Sequence, residues 1–173
     1  MLRKQPTLIF TDGASESRHN TVGGLLVRPG GYRPRFFACH VDGGLVQAWA
    51  ESLKHLIGPV ECYAVAVARL VWHQFLAQQP CLHFIDNVAC QDAFIKGTSC
   101  SEAVRSILLA YEKCELQDAT WAWFARVASD SNPSDEPSRG FFGGILKSLD
   151  ALRDSCYCPV SGSKLHEILG PVD

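Results

Sequence analysis

Thr7-Leu8-Ile9-Phe10-Thr11-Asp12-Gly13 is the stretch on which the fold turns. Its β-branched and aromatic residues favour an extended strand, and Asp12-Gly13 is a turn signal, so Asp12 is expected at the strand's carboxyl end. The same layout returns in Cys81-Leu82-His83-Phe84-Ile85-Asp86-Asn87, another short apolar run closed by an aspartate. Between the two, Gly58-Pro59 opens a long helix with proline in its favoured first turn. Tyr63, Val67, Leu70, Val71 and Phe75 give that helix an apolar stripe, and Gln79-Pro80 ends it. Strand, helix and strand in this order make parallel neighbours joined by a crossover.

Further out, Gly23 to Val27 and Arg35 to Val41 read as two more strands, separated by the Gly- and Pro-rich loop Arg28-Pro29-Gly30-Gly31-Tyr32-Arg33-Pro34. The first three strands therefore form an antiparallel meander. Trp49, Leu53 and Leu56 indicate a short helix before the long one. Val88 to Ile95 reads as a helix closed by Lys96-Gly97, and Ser101 to Leu116 carries Val104, Ile107, Leu108 and Tyr111 at helical spacing. Thr120 to Val127 alternates as a fifth strand. Ser134 to Arg139 begins a helical region interrupted by Gly140, Gly143 and Gly144, with Ile145, Leu146, Leu149 and Leu152 as its last stripe. The expected fold is one α/β domain over residues 1–154, a five-stranded mixed sheet flanked by helices, followed by a C-terminal tail over 155–173.

A chain of 173 residues with 47% hydrophobic content fits one domain with a sizeable core. Its net charge of -2 provides no strong basic field, so a nucleic-acid partner has to be held by local patches and bound cations. No apolar run approaches the ~20 residues that cross a bilayer, and Met1-Leu2-Arg3-Lys4-Gln5-Pro6 lacks the apolar region of a signal peptide. A soluble, intracellular chain without a membrane partner is expected. Cys39, Cys62, Cys81, Cys90, Cys100 and Cys114 lie in or beside apolar segments and read as buried free thiols. Cys156, Cys158 and His166 make only part of a zinc site. Of Trp49, Trp72, Trp121 and Trp123, three lie in patterned segments and read as core rather than as base-stacking platforms. His83 reads as a core histidine, and Arg28, Arg33 and Arg35 as a solvated loop.

Four acids remain: Asp12, Glu61, Asp86 and Asp135. In an open α/β sheet the ligand crevice lies beyond the carboxyl ends of the parallel strands, where Asp12 and Asp86 stand side by side. Glu61, placed in the first turn of the crossover helix, faces the same crevice. Carboxylates packed this closely raise one another's proton affinity unless cations neutralise them. Mg²⁺ suits such hard oxygen ligands, and two ions ~4 Å apart suit an in-line phosphodiester displacement. Each acid also has a plainer reading: Asp12-Gly13 as a turn, Glu61 as a first-turn carboxylate, Asp86-Asn87 as a helix cap and Asp135 as an acid opening a helix.

The ordered set resembles the ribonuclease H superfamily, in particular the ribonuclease H domains that accompany retroelement reverse transcriptases. The resemblance runs from about Thr7 to Arg139 on four motifs: Phe10-Thr11-Asp12-Gly13-Ala14-Ser15, Glu61 in Val60-Glu61-Cys62-Tyr63-Ala64-Val65, Asp86-Asn87-Val88-Ala89, and Asn132-Pro133-Ser134-Asp135-Glu136-Pro137-Ser138-Arg139. It implies hydrolysis of the RNA strand of RNA–DNA hybrids with two Mg²⁺ ions, for which Mn²⁺ can substitute. It also implies a reverse transcriptase domain in the same polyprotein. Under it, Asp12 bridges both metals, Glu61 and Asp86 are ligands, and Asp135 binds the second metal. Gly13, Ser15, Asn87 and Arg139 are the expected substrate contacts, since short polar side chains beside the metals can read the 2′-OH of RNA. Many members carry a histidine in the loop before the last aspartate that assists product release. Ser129-Asp130-Ser131-Asn132-Pro133-Ser134 has none, a departure that bears on turnover. The alternatives are a DNA-directed nuclease of the same fold and a non-catalytic scaffold module.

Overall fold

The computed structural model of the chain describes residues 5–16 and 19–154. Strands β1 (Thr7–Glu16), β2 (His19–Val27) and β3 (Arg35–His40) form the expected antiparallel meander. Asp42 then caps α1 (Gly43–Ser52), accepting from the N–H groups of Gly44 and Leu45. Helix α2 (Ile57–Val71) and the single turn α3 (His73–Leu76) cross over to β4 (Pro80–Ile85), which runs parallel to β1. Helices α4 (Val88–Lys96) and α5 (Glu102–Asp118) lead to β5 (Trp121–Arg126). Gly97, in the left-handed region at φ 65°, ends α4 as the Lys96-Gly97 signal predicts. The chain continues through the turn α6 (Asp135–Ser138) and α7 (Gly143–Leu149) to β6 (Leu152–Arg153).

The sheet order is β5-β4-β1-β2-β3-β6, six strands where five were expected. The addition is β6, whose Leu152 and Arg153 pair in parallel with Arg35 and Phe36. Leu152 is thus a strand residue and not the end of a helical stripe; two residues are too few to carry a period. Ion pairs hold this edge in place. Arg35 pairs with Asp154, which also accepts from Trp72 Nε1 at 2.8 Å, and Arg33 pairs with Asp150 at 2.7 Å. Arg28 lies over the rings of Tyr32 and Phe75. Arg28 and Arg35 are therefore occupied in the fold, whereas Arg33 and the loop over 29–33 are exposed, as a solvated loop should be.

The one-sided stripe expected on α2 does not form. Every residue from Pro59 to Arg69 is buried, because α2 packs against β1 and β2 on one side and against α4 and α5 on the other. A helix enclosed in this way is apolar all round. Phe75 falls in α3, since α2 stops at Val71, well before Gln79-Pro80. Glu61 and Arg69 are the acidic and basic exceptions, and the terminal nitrogen of Arg69 lies 2.8 Å from Asp118 and from Thr120 Oγ1 and 3.1 Å from the Cys114 carbonyl. His83 is a core histidine as expected: its Nε2 is 2.9 Å from Thr11 Oγ1, and burial pushes the imidazole down to about 3, so it is neutral.

Trp49 and Trp72 are in the core, but Trp121 and Trp123 are 80% and 75% exposed. β5 is an edge strand, and the helices cover its other face, where Phe124 packs on Phe94 and Tyr111 at ring distances of 5.1 and 5.9 Å. Cys62, Cys81 and Cys90 are buried free thiols and Cys39 and Cys114 are half-buried, whereas Cys100, in the turn before α5, is exposed. Cys156, Cys158, His166 and the expected tail lie outside the described residues. No helix among the described residues is long and apolar enough to cross a membrane.

The tryptophans give the fold a direct check. Trp72→Ala is expected to cost about 3–5 kcal/mol of stability, and Trp121→Ser or Trp123→Ser under about 0.5 kcal/mol, measured by urea denaturation. Equal losses at Trp72 and Trp123 contradict this packing.

Candidate metal centre

In the parallel pairing of β1 with β4, Phe10 stands opposite Phe84, their rings stacked at 4.7 Å. Asp12 and Asp86 each follow two residues later, side by side beyond the end of that pairing. β1 itself does not stop there. It runs on to Glu16 because β2 keeps pairing with it, Gly23 opposite Asp12 and Val22 opposite Gly13. Asp12-Gly13 is therefore not a turn, and Asp12 marks the strand's end only with respect to β4.

Gly13 has a different purpose. A Cβ on it would lie 2.8 Å from the Glu61 nitrogen and 2.9 Å from the Val60 carbonyl carbon, so α2 rests backbone-to-backbone on β1 at this point. The Gly13 N–H also donates to the Glu61 carboxylate. Because α2 begins at Ile57, Glu61 is its fifth residue and stands in the second turn, not the first as expected. It lies past the helix's unpaired N–H groups, and contact with Gly13 sets its position instead of the helix dipole.

Asp12, Glu61 and Asp86 each bring a carboxylate oxygen within 4.8 Å of the other two. Asp12 and Glu61 are buried and Asp86 half-buried. Burial, then the neighbouring acids Asp86 and Asp135, raise Asp12 to about 6 against the lowering effect of its Ser138 hydrogen bond. Burial, then Asp12 and Asp86, raise Glu61 to about 9, with the Gly13 N–H opposing. Asp86 Oδ1 is buried and finds no hydrogen-bond donor. An uncommitted buried oxygen grouped with two acids that resist ionisation fits a cation, which supplies the neutralising positive charge. The all-oxygen donor set suits Mg²⁺ or Mn²⁺.

Asp135 opens α6 and lies outside this tight group, half-exposed, with Arg139 Nε at 2.9 Å. Arg139 also reaches Glu16 at 2.7 Å. The loop before α6 is pinned to β1 by buried Asn132, whose Nδ2 donates to the Thr11 carbonyl at 3.0 Å and whose Oδ1 accepts from the Ser134 N–H at 3.1 Å. Asn132 and Ser138 gave no separate sequence signal; both lie inside the Asn132–Arg139 motif and could have been found by asking what holds Asp135 near Asp12. Asn87 caps α4, its Oδ1 accepting from the Cys90 N–H at 3.0 Å, so Asp86 is spared that task. Ser15 donates to Asn20 Oδ1 at 2.7 Å on the exposed rim that it shares with Arg139.

No family model matches this sequence, and no curated protein matches it. Solved structures do. The ribonuclease H1 of the halophilic archaeon Halobacterium salinarum NRC-1 aligns at 14% identity over 77% of this chain and 94% of its own, with a TM-score of 0.58. LC11-RNase H1, isolated from compost by a metagenomic approach, aligns at 11% identity over 84% of this chain and 96% of its own, with a TM-score of 0.63. The same compost enzyme in complex with an RNA/DNA hybrid aligns at 10% identity over 81% and 99%, with a TM-score of 0.54. By its architecture this chain is a ribonuclease H-like α/β domain.

Proposed function

We propose that this chain is a divalent-metal-dependent nuclease that hydrolyses the RNA strand of RNA–DNA hybrids. The convergence of Asp12, Glu61 and Asp86 within 4.8 Å on a ribonuclease H-like sheet carries the reading. The compost enzyme's complex with a hybrid supports the substrate class. Asp12, Glu61 and Asp86 hold the metal ions, with Asp135 as a fourth ligand from the rim. Mg²⁺ or Mn²⁺ there supplies neutralising charge, a more acidic water and stabilisation of the leaving oxygen. The chain's own part is to present carboxylates in fixed places: the Gly13 N–H orients Glu61, and the Asn87 cap leaves Asp86 free. On this reading Ser15 and Asn87 would meet the 2′-OH and Arg139 a backbone phosphate. The loop 129–134 offers no histidine to assist product release, which points to slow turnover. The sequence motifs alone support a retroelement source and a neighbouring reverse transcriptase domain, and we extend the proposal to an intracellular location.

The test is a matched panel of hybrid, duplex DNA and duplex RNA with Mg²⁺ or Mn²⁺. The hybrid's RNA strand is expected to be cut in preference. Asp86→Asn is expected to lose more than about 100-fold, since a lost ligand costs at least what a lost outer partner of a metal site costs. An intact hybrid, or full activity in Asp86→Asn, rejects the enzyme; preferred cleavage of duplex DNA selects the DNA-directed alternative.

Protonation gives a second check. Both raised acids bind more protons folded than unfolded, so their contribution to stability is full below the unfolded value of ~4. It is lost as pH rises through about 6 for Asp12 and about 9 for Glu61. The Tm of chelated protein should therefore fall between pH 5 and 9 through these two groups, and Mg²⁺ should restore it more strongly at the alkaline end. Glu61→Gln should raise the metal-free Tm at pH 8 by at least ~3 °C, roughly 1 kcal/mol, and remove most of the Mg²⁺ effect. A metal-free Tm that Glu61→Gln leaves unchanged at pH 8 shows that Glu61 is not held in this buried acidic group.

A further inference from the structure

We infer that Ser138 is a positioning residue whose hydroxyl sets the place of Asp12 within the metal-holding group, an inference that rests on the metal-site reading above. Ser138 is fully buried, and its Oγ donates to Asp12 Oδ2. The same hydroxyl lies 2.9 Å from the Asp135 carbonyl oxygen, but it has one proton to give, and a carboxylate is the stronger acceptor. The rest of the residue cannot follow a displaced side chain. Its N–H donates to the Ser134 carbonyl at 3.0 Å, and its carbonyl accepts from Thr21 Oγ1 on β2. Gly23, the β2 partner of Asp12, supplies the room: a Cβ there would lie 2.4 Å from the Ser138 nitrogen and 2.8 Å from the Pro137 carbonyl carbon. The α6 turn therefore sits directly on the β2 backbone and delivers one hydroxyl to Asp12 from the side opposite α2.

One consequence concerns Asp135. It stands outside the group of three, yet its own turn grips Asp12, a member of that group, so Ser138 sets the distance between Asp135 and the other acids. A carboxylate has about four lone-pair directions; with one taken by Ser138, the others are left in fixed directions for cations. Loss of the hydroxyl frees Asp12 to rotate and weakens metal binding without removing any ligand.

The test uses the full chain and Mn²⁺ alone, with binding followed by the electron paramagnetic resonance of free Mn²⁺. Ser138→Ala and Ser138→Cys should each bind Mn²⁺ about tenfold more weakly than the parent, as losses of outer partners do, with circular dichroism confirming the fold. The thiol fills the space but is a poor donor, so a merely space-filling role predicts parental affinity in Ser138→Cys. That result, within twofold in a folded variant, overturns the inference. A crystal structure of the parent with Mn²⁺ decides independently of whether the variants fold: Ser138 Oγ should remain on Asp12, and a hydroxyl turned to the Asp135 carbonyl rejects the role. If the parent itself binds no Mn²⁺, the metal-site reading fails; if it binds and neither variant differs, only the role of Ser138 fails.

Discussion

Everything at the acidic end of the sheet depends on one close approach, the α2 backbone lying against Gly13 of β1. Asp12 and Asp86 are neighbours through strand register alone, but Glu61 comes from a helix that could pack higher or lower on the sheet. Removing the side chain at position 13 lets the helix descend to backbone contact, and the Gly13 N–H then fixes the carboxylate it meets. A methyl group there would force β1 and α2 apart where the core is packed on both sides of the helix, and close-packed interiors accommodate such shifts poorly. The geometry of the three acids is thus inherited from packing, with Tyr63, Val65 and Val67 buried behind it.

That inheritance has an electrostatic cost. Bringing buried acids together leaves Glu61 and part of the Asp12 population protonated near neutral pH. On the proposed metal-site reading, metal arrival and proton release are one coupled event, the site becoming fully anionic only as cations neutralise it. Among the described residues no basic side chain bonds to any of the three acids: Arg139 lowers Asp12 only from a distance and is directed to Asp135 and Glu16 at the rim. A guanidinium among the three acids would satisfy them permanently, whereas an unfilled place can be taken by an ion.

Some of this was legible in the sequence and some was not, for physical reasons. The apolar runs ending at Asp12 and Asp86 report strand register directly, because a crossover between them makes parallel neighbours. Alternation in Trp121–Arg126 shows that the two faces of β5 differ but not which one the helices cover, so the pattern alone suggests a buried place for Trp121 and Trp123, which face out. The stripe on α2 suggests a one-sided helix because a helix buried all round looks, in a single sequence, like one with a broad apolar face. Proline marks a helix start only approximately, so the sequence alone sets Glu61 one turn too early. Asp12-Gly13 looks like a turn because local glycine statistics cannot see that a distant helix needs the space.

The position of Asp135 completes the arrangement. Its pair with Arg139 is half-exposed, and pairs of that kind contribute ~0–1 kcal/mol. Turning the Asp135 carboxylate inward therefore costs little, and Arg139 does not lose its place, since Glu16 on β1 still holds it at 2.7 Å. Two acids sharing one arginine make Asp135 exchangeable while the guanidinium stays fixed. The tight trio is set by packing that cannot yield, and the fourth carboxylate by a surface contact that can. On the proposed metal-site reading, one end of the sheet thus combines a rigid seat for cations with a fourth carboxylate free to adjust to what they carry.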